Sequence, residues 1–416
     1  MSKYIIEGGN RLYGTALIGG AKNSVLPILA GTVLAAGESI IHNCPRIRDV
    51  ELTIEILKCL GCNVTVQGNT VCVNAADVTD NYIPMGLMNK MRSSVIFMGA
   101  ILSRTGEARC SYPGGCELGA RPINLHLKSF KQLGVEINEQ AGFLECRLEK
   151  YKPGTVQLDF PSVGATENIM LLACGQEGTT TIVNAAREPE IFDLQDLLVK
   201  MGAKIRGAGE GIIEIEGVKS LKQVEKTVIS DRICAATMVF MVAAAGGCVE
   251  LKNVNTSHIE SIISVLRGCG ADIRLTDCGV NIKVTERIDA VDMVQTMPYP
   301  GYPTDAQPQL MAALCTANGT SVIKETIFEN RFKAVGELKK MGADITLGGE
   351  MAIIRGVKKL HGANLSAPDL RAGAALVIAA LAAEGKSEIS GVCYIDRGYE
   401  NLEGMITDIG GKIIRV

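Results

Sequence analysis

One motif recurs along the whole chain: the end of a helix, a leucine-like residue, a glycine, and then an apolar strand. The copies read Leu60-Gly61, Leu133-Gly134, Met201-Gly202, Cys269-Gly270, Met341-Gly342 and Ile409-Gly410, with glycines 73, 68, 68, 72 and 68 residues apart. Spacing this even means six copies of one supersecondary unit.

A second set of glycines carries the same period. Each copy holds an apolar helix that ends at Gly37, Gly106, Gly178, Gly247, Gly319 or Gly385. Counting back 14 or 15 residues from these gives Lys22, Arg92, Gly164, Arg232, Asp305 and Arg371, at or just before the helix start. Five of the six are charged and four are basic. A helix N-terminus offers free N–H groups and the positive end of a dipole, so cations gather there to advantage only when an anion is bound. The pattern points to a polyanionic ligand, although at any single position a solvated cap explains the residue equally well.

Within a unit the order is strand, charged loop, apolar helix, Gly, strand, loop, amphipathic helix, Leu-Gly, strand, turn and strand. In the third copy, Lys204-Ile205-Arg206 and Ile213-Glu214-Ile215-Glu216 alternate on either side of a glycine-rich turn, the pattern of a half-buried hairpin. The first helix of each unit is apolar nearly all round, as in Ile169 to Cys174 and Ala235 to Ala245, and must be enclosed. Helices inward and sheets outward make a prism of three units, so six predict an α/β chain of two such domains. The sixth copy stops at Val416 after one strand, so Lys3 to Glu7 and Thr15 to Ile18 are expected to complete it. The expected domains are 22–229, and 1–21 with 230–416, with the active site in a closing cleft between them.

A length of 416 residues suits this division, and a net charge of −3 gives no reason to expect nucleic acid or an acidic membrane as partner. The 14 cysteines form no paired framework and several lie in apolar runs, among them Cys174, Cys234, Cys248 and Cys315, which is the usage of a reducing compartment. No basic-then-apolar leader opens the chain, and the apolar run Ala372 to Ala383 is too short to cross a bilayer, so a cytoplasmic protein is expected. Neither a metal nor a cofactor is called for. Cys59 and Cys62 form a lone CxxC, and His42, His126, His258 and His361 are scattered, matching neither a zinc motif nor a triad.

Four places carry chemistry. The run from Pro113 to Pro122 is rich in Gly and Pro and is expected to set Cys116 on an exposed loop, with Arg121 placed to stabilise a thiolate; a glycine-rich turn with an incidental Cys is the alternative. Asp305 stands where other copies hold a cation; it is either a general base for an anionic substrate or a helix N-cap. Asp369 beside Arg371, and Asp396 beside Arg397, read as acid–base pairs of the kind common at surfaces.

The segments Gly20-Ala21-Lys22-Asn23, Pro113-Gly114-Gly115-Cys116, Ser162-Val163-Gly164-Ala165-Thr166, Ala186-Arg187-Glu188-Pro189-Glu190, Phe328-Glu329-Asn330-Arg331-Phe332, Asp369-Leu370-Arg371-Ala372-Gly373 and Asp396-Arg397-Gly398 resemble the UDP-N-acetylglucosamine enolpyruvyl transferase family. The resemblance spans essentially the full chain. It implies two inside-out α/β prisms and transfer of the enolpyruvyl group of phosphoenolpyruvate to the 3-hydroxyl of UDP-N-acetylglucosamine, the first committed step of peptidoglycan synthesis. By the same resemblance Cys116 is the general acid and forms a phospholactoyl-type adduct, Asp305 faces the hydroxyl, and Lys22, Arg121 and Arg397 hold phosphoenolpyruvate, helped by Asn23, Arg92 and Arg371.

The resemblance further implies that Arg121, Pro122, Ile123, Asn124 and Leu125 meet the uridine and diphosphate end together with Ser162, Val163 and Gly164, while Ile327 flanks the sugar. Some relatives have an acidic residue at Asn124 and a lysine at Phe160, so contacts there differ in strength. Relatives with Cys at position 116 are alkylated by the epoxide fosfomycin, which makes this chain an expected target. The sister transferase acting on shikimate 3-phosphate lacks the Pro-Gly-Gly-Cys loop. A non-catalytic sugar-nucleotide-binding paralogue is the alternative of another class.

Overall fold

The computed structural model describes residues 2–114 and 123–416. The helix-end glycines explain themselves first. Helix Arg48–Cys59 ends at Leu60, and Gly61, at φ 97°, donates to Lys58 O while Cys62 N donates to Leu57 O. This is a Schellman closure, in which the residue after the cap needs a left-handed backbone that glycine adopts at little cost. The equivalent glycines 134, 202, 270, 342 and 410 have φ between 84° and 110°. The repeat visible in the sequence is thus a repeated helix stop that turns the chain into a strand.

The described residues contain six four-stranded sheets. In the second repeat, strand Tyr82–Ile83 runs parallel to Glu107–Ser111 across helix Phe97–Thr105, and hairpin strands Val135–Gln140 and Phe143–Leu148 complete the sheet. The described residues form two compact units, one of residues 2–19 and Ser230–Val416, the other of the described residues between Gly20 and Ile229. Each unit holds three sheets and three central helices.

In the first of these, helices Arg232–Ala245, Gln307–Leu314 and Leu370–Ala382 contact one another pairwise and are almost wholly buried. Removing such faces from water, at about 25 cal/mol per Å² of apolar area, is the main force closing the unit. In the other, helix Phe97–Thr105 packs on Lys22–Gly31 and Val163–Ala173. The approach is close: a Cβ on Gly99 would lie 2.3 Å from Asn168 O, so even Gly99→Ala forces these helices apart.

The chain's start behaves differently from expectation. Tyr4–Glu7 does complete the sixth sheet, between Lys386–Ser390 and Lys412–Arg415. Leu12–Leu17 instead pairs in parallel with Gly247–Lys252 in the fourth repeat's sheet. Glu225–Thr227 correspondingly pairs with Glu38–His42 in the first. The first and fourth repeats have therefore exchanged the strands that precede their central helices. Alternation marks a strand, but not which sheet it joins.

Candidate functional site

All six residues of the charged register lie at the start of a central helix or of the short 3₁₀ turn before it. Lys22, Arg92 and Arg232 are first residues of their elements, Gly164 and Arg371 are second, and Asp305 lies in the turn Thr304–Ala306.

In the unit containing Asp305, its carboxylate is no helix cap. Pro303 holds the capping position, and Asp305 Oδ1 accepts from Arg331 Nη2 at 2.6 Å while Oδ2 accepts from Arg371 Nη2 at 3.0 Å. Both arginines are nearly inaccessible, whereas the Asp305 side chain is 28% exposed. Arg331 Nε also donates to Thr304 O at 3.0 Å, and its guanidinium lies over the Phe328 ring. Burial alone would lower the pKa of Arg371; Asp305, then Tyr399 and Asp231, overcome it and hold the guanidinium above its ordinary range.

The sequence-adjacent pairs part company. Asp369 caps helix Leu370–Ala382, accepting from Arg371 N and Ala372 N, each at 2.9 Å, while the Arg371 guanidinium reaches Asp305. Side chains two apart at a helix start point to different faces, so the expected pair does not form. Asp396 likewise bonds Arg415 from the last strand. Arg397 follows the short helix Val392–Ile395 and is partly exposed. Ile327 N donates to Glu325 Oε1 at 2.8 Å, which fixes the partly buried loop holding Ile327.

In the other unit Lys22 Nζ lies 2.9 Å from Asp49 Oδ2, in the first turn of helix Arg48–Cys59, and Asn23 follows it on its own helix. The fold itself supplies carboxylate partners at Lys22 and Arg371, where the sequence pattern by itself calls for a ligand. Ser162 caps helix Val163–Ala173, accepting from Ala165 N at 3.3 Å, so Val163 and Gly164 form its first turn. Ile123 is buried at the residue before helix Asn124–Gln132, on which Asn124 is exposed and Leu125 partly so. Phe160 is also exposed. Cys116, Arg121 and Pro122 lie outside the described residues.

His126, passed over in the sequence as one of four scattered histidines, belongs to this second cluster. Gly99 N donates to Asn168 Oδ1 at 2.7 Å, and Asn168 Nδ2 donates to Val95 O, which together fix the amide's orientation. The second Nδ2 proton must then go to His126 Nδ1, 2.8 Å away, leaving the imidazole proton on Nε2. Burial chiefly, and then Arg92, push the imidazole pKa down to about 4, so the ring is neutral near pH 7. Its edge faces the helix start: a Cβ on Gly164 would lie 3.1 Å from Cε1 and 3.4 Å from Nε2. A neutral N–H donor, free helix N–H groups and Arg92 make an environment suited to an anion. The contact joins three segments, so no local spacing announces it.

Residues 6–406 match the family model described as EPSP synthase (3-phosphoshikimate 1-carboxyvinyltransferase). The chain is 50% identical over 416 residues, all of both proteins, to the UDP-N-acetylglucosamine 1-carboxyvinyltransferase 2 of Caldanaerobacter subterraneus subsp. tengcongensis. It is 48% identical to the UDP-N-acetylglucosamine 1-carboxyvinyltransferase 1 of Symbiobacterium thermophilum, over 100% of this chain and 95% of that protein. Among solved structures, the enolpyruvyl transferase NikO of Streptomyces tendae superposes with a TM-score of 0.91 at 24% identity, over 100% of this chain and 99% of that one. The EPSP synthase of Acinetobacter baumannii gives 0.77 at 19% identity over 100% of both chains. At those identities the two structures speak for the fold.

Proposed function

The chain belongs to the UDP-N-acetylglucosamine 1-carboxyvinyltransferases of the EPSP synthase family, and from that premise we propose that it transfers the enolpyruvyl group of phosphoenolpyruvate to the 3-hydroxyl of UDP-N-acetylglucosamine. The observation that carries the substrate is end-to-end identity of 44–50% with relatives of that name. The product would enter peptidoglycan synthesis, and the work would be cytoplasmic.

The reaction is an addition followed by an elimination. The sugar oxygen attacks C2 of phosphoenolpyruvate while C3 takes a proton; C3 then gives up a proton as the C2–O bond to phosphate breaks, and inorganic phosphate leaves. Cys116 would supply the first proton and form the phospholactoyl-type adduct. Asp305, whose carboxylate Arg331 and Arg371 fix in place, would orient the sugar hydroxyl and receive its proton. Lys22, Arg121 and Arg397 would bind the phosphate and carboxylate of phosphoenolpyruvate, with Asn23 and Arg371 beside them. The diphosphate of the sugar nucleotide would lie at the helix start of Ser162, Val163 and Gly164, near Arg92, with His126 Nε2 as a further donor. Pro122, Ile123, Asn124 and Leu125 would meet the uridine, and Ile327 the sugar.

The test is phosphate release from phosphoenolpyruvate in three parallel reactions: with UDP-N-acetylglucosamine, with shikimate 3-phosphate, and with the sugar nucleotide plus fosfomycin. Release with the sugar nucleotide alone, abolished by fosfomycin with the matching mass gain on Cys116, is the expected result. Release with shikimate 3-phosphate instead would reassign the acceptor, and none with either would leave a binding protein.

A further inference from the structure

Behind Asp305 the three central helices of its unit meet in a buried polar cluster. Thr237 comes from helix Arg232–Ala245, Gln309 from Gln307–Leu314 and Arg371 from Leu370–Ala382, and Tyr399 lies just after the short helix Val392–Ile395. Thr237 and Gln309 have no accessible surface, and Tyr399 is buried.

Each proton in this cluster can be placed from its neighbours. Thr237 Oγ1 donates to Ile233 O at 2.8 Å, an oxygen that can only accept. Its one proton is thereby used, so in the 2.8 Å contact between Thr237 Oγ1 and Tyr399 Oη the phenol donates. The phenol oxygen then meets its other neighbours as an acceptor, from Arg371 Nη1 and from Gln309 Nε2, both at 3.4 Å. The Gln309 orientation follows too, since a flipped amide would bring Oε1 against an oxygen with no proton left to give. Arg371 is consequently held by both arms, Nη1 on Tyr399 and Nη2 on Asp305 Oδ2.

We propose that Tyr399 is a positioning residue for Asp305, acting through Arg371, with Thr237 setting the direction of the phenol hydroxyl. The proposal rests on the enolpyruvyl transfer assigned above. The ring already packs against Arg371, whose Cζ lies 5.8 Å from its centroid, and phenylalanine would serve equally for that contact. Only the hydroxyl supplies the acceptor that stops the guanidinium from turning. A reacting group displaced by about 1 Å loses up to roughly 10²-fold in rate, so a modest rotation of Arg371 is enough to register in turnover.

The experiment compares wild type with Tyr399→Phe, Thr237→Val and Thr237→Ser. Tyr399→Phe and Thr237→Val should each lower kcat about tenfold with KM for UDP-N-acetylglucosamine within about twofold, while Thr237→Ser, which keeps the hydroxyl, stays near wild type. Because two variants reach the same hydroxyl from opposite sides, failure of one to fold leaves the other decisive. A second readout needs no turnover: in wild type the Arg371 Nη1 and Nη2 protons should give separate NMR signals, assigned by their loss in Arg371→Lys, and in Tyr399→Phe they should merge. An unchanged kcat in a folded Tyr399→Phe, or signals that stay separate, would overturn the proposal. If wild type uses neither acceptor, the transferase assignment fails on its own and the NMR comparison still decides whether Tyr399 holds Arg371.

Discussion

The two units solve one electrostatic problem with opposite signs. Around Lys22 an accessible cation is backed by a buried acid, with side-chain exposures of 13% for Lys22 and 1% for Asp49. Around Asp305 an accessible acid, 28% exposed, is backed by the buried cations Arg331 and Arg371. The outward member in each case belongs to the repeat register; among the buried supports Arg371 belongs to it too, while Asp49 and Arg331 do not. Repetition of the fold thus fixes where a charge is presented; its sign is that of the register residue itself, and its support comes from other elements and, at Arg371, from the register of a neighbouring repeat.

The largest expected effect is on the inverted side of this comparison. Asp305→Ala should lose at least roughly 10²-fold in kcat, and should lower stability by about 3 kcal/mol because two buried guanidiniums lose the carboxylate they share. Initial rates and urea unfolding measure both; near-normal turnover would make Asp305 a counterion and nothing more.

On the other side the neutral His126 offers a pH test. Its folded pKa of about 4 lies below the ordinary 6.5, so the unfolded chain binds the proton more readily. The associated stability is complete above about pH 6.5 and is lost as pH falls toward 4, amounting to about 3 kcal/mol across that window. Urea unfolding at pH 7 and at pH 4.5 should therefore diverge more for wild type than for His126→Gln, which keeps an acceptor for Asn168 but cannot titrate. Equal divergence would mean that His126 is not held neutral.

Smaller effects separate binding from chemistry. Gly164→Ala places a methyl 3.1 Å from His126 Cε1 and should raise KM for UDP-N-acetylglucosamine about fivefold with kcat unchanged. A fall in kcat instead would place Gly164 nearer the reacting atoms. Smallest of all, Phe160→Lys adds a cation at an exposed position close to the Ser162 cap and should lower that KM about twofold. No change, or a rise, would remove position 160 from the diphosphate contacts.

The sequence by itself determined the six-fold repeat, because a Schellman closure demands glycine at one place in each unit and leaves a mark that needs no tertiary context. It determined which helices are enclosed, since an element apolar on every side has no face to give to water. It also located the helix starts that carry Lys22, Arg92, Gly164, Arg232, Asp305 and Arg371. The tertiary structure decided the rest. It sent Leu12–Leu17 to the fourth sheet, because an alternating strand fits any edge of matching register. It gave Asp305 to arginines 26 and 66 residues away, and turned Asp369 into a cap. It drew His126 out of an unmarked helix by closing Asn168 and Gly164 around it. Local rules such as capping and periodicity act over a few residues and can be read along the chain, whereas the partner of a buried charge is whatever packing brings within about 3 Å, and that separation is set in space.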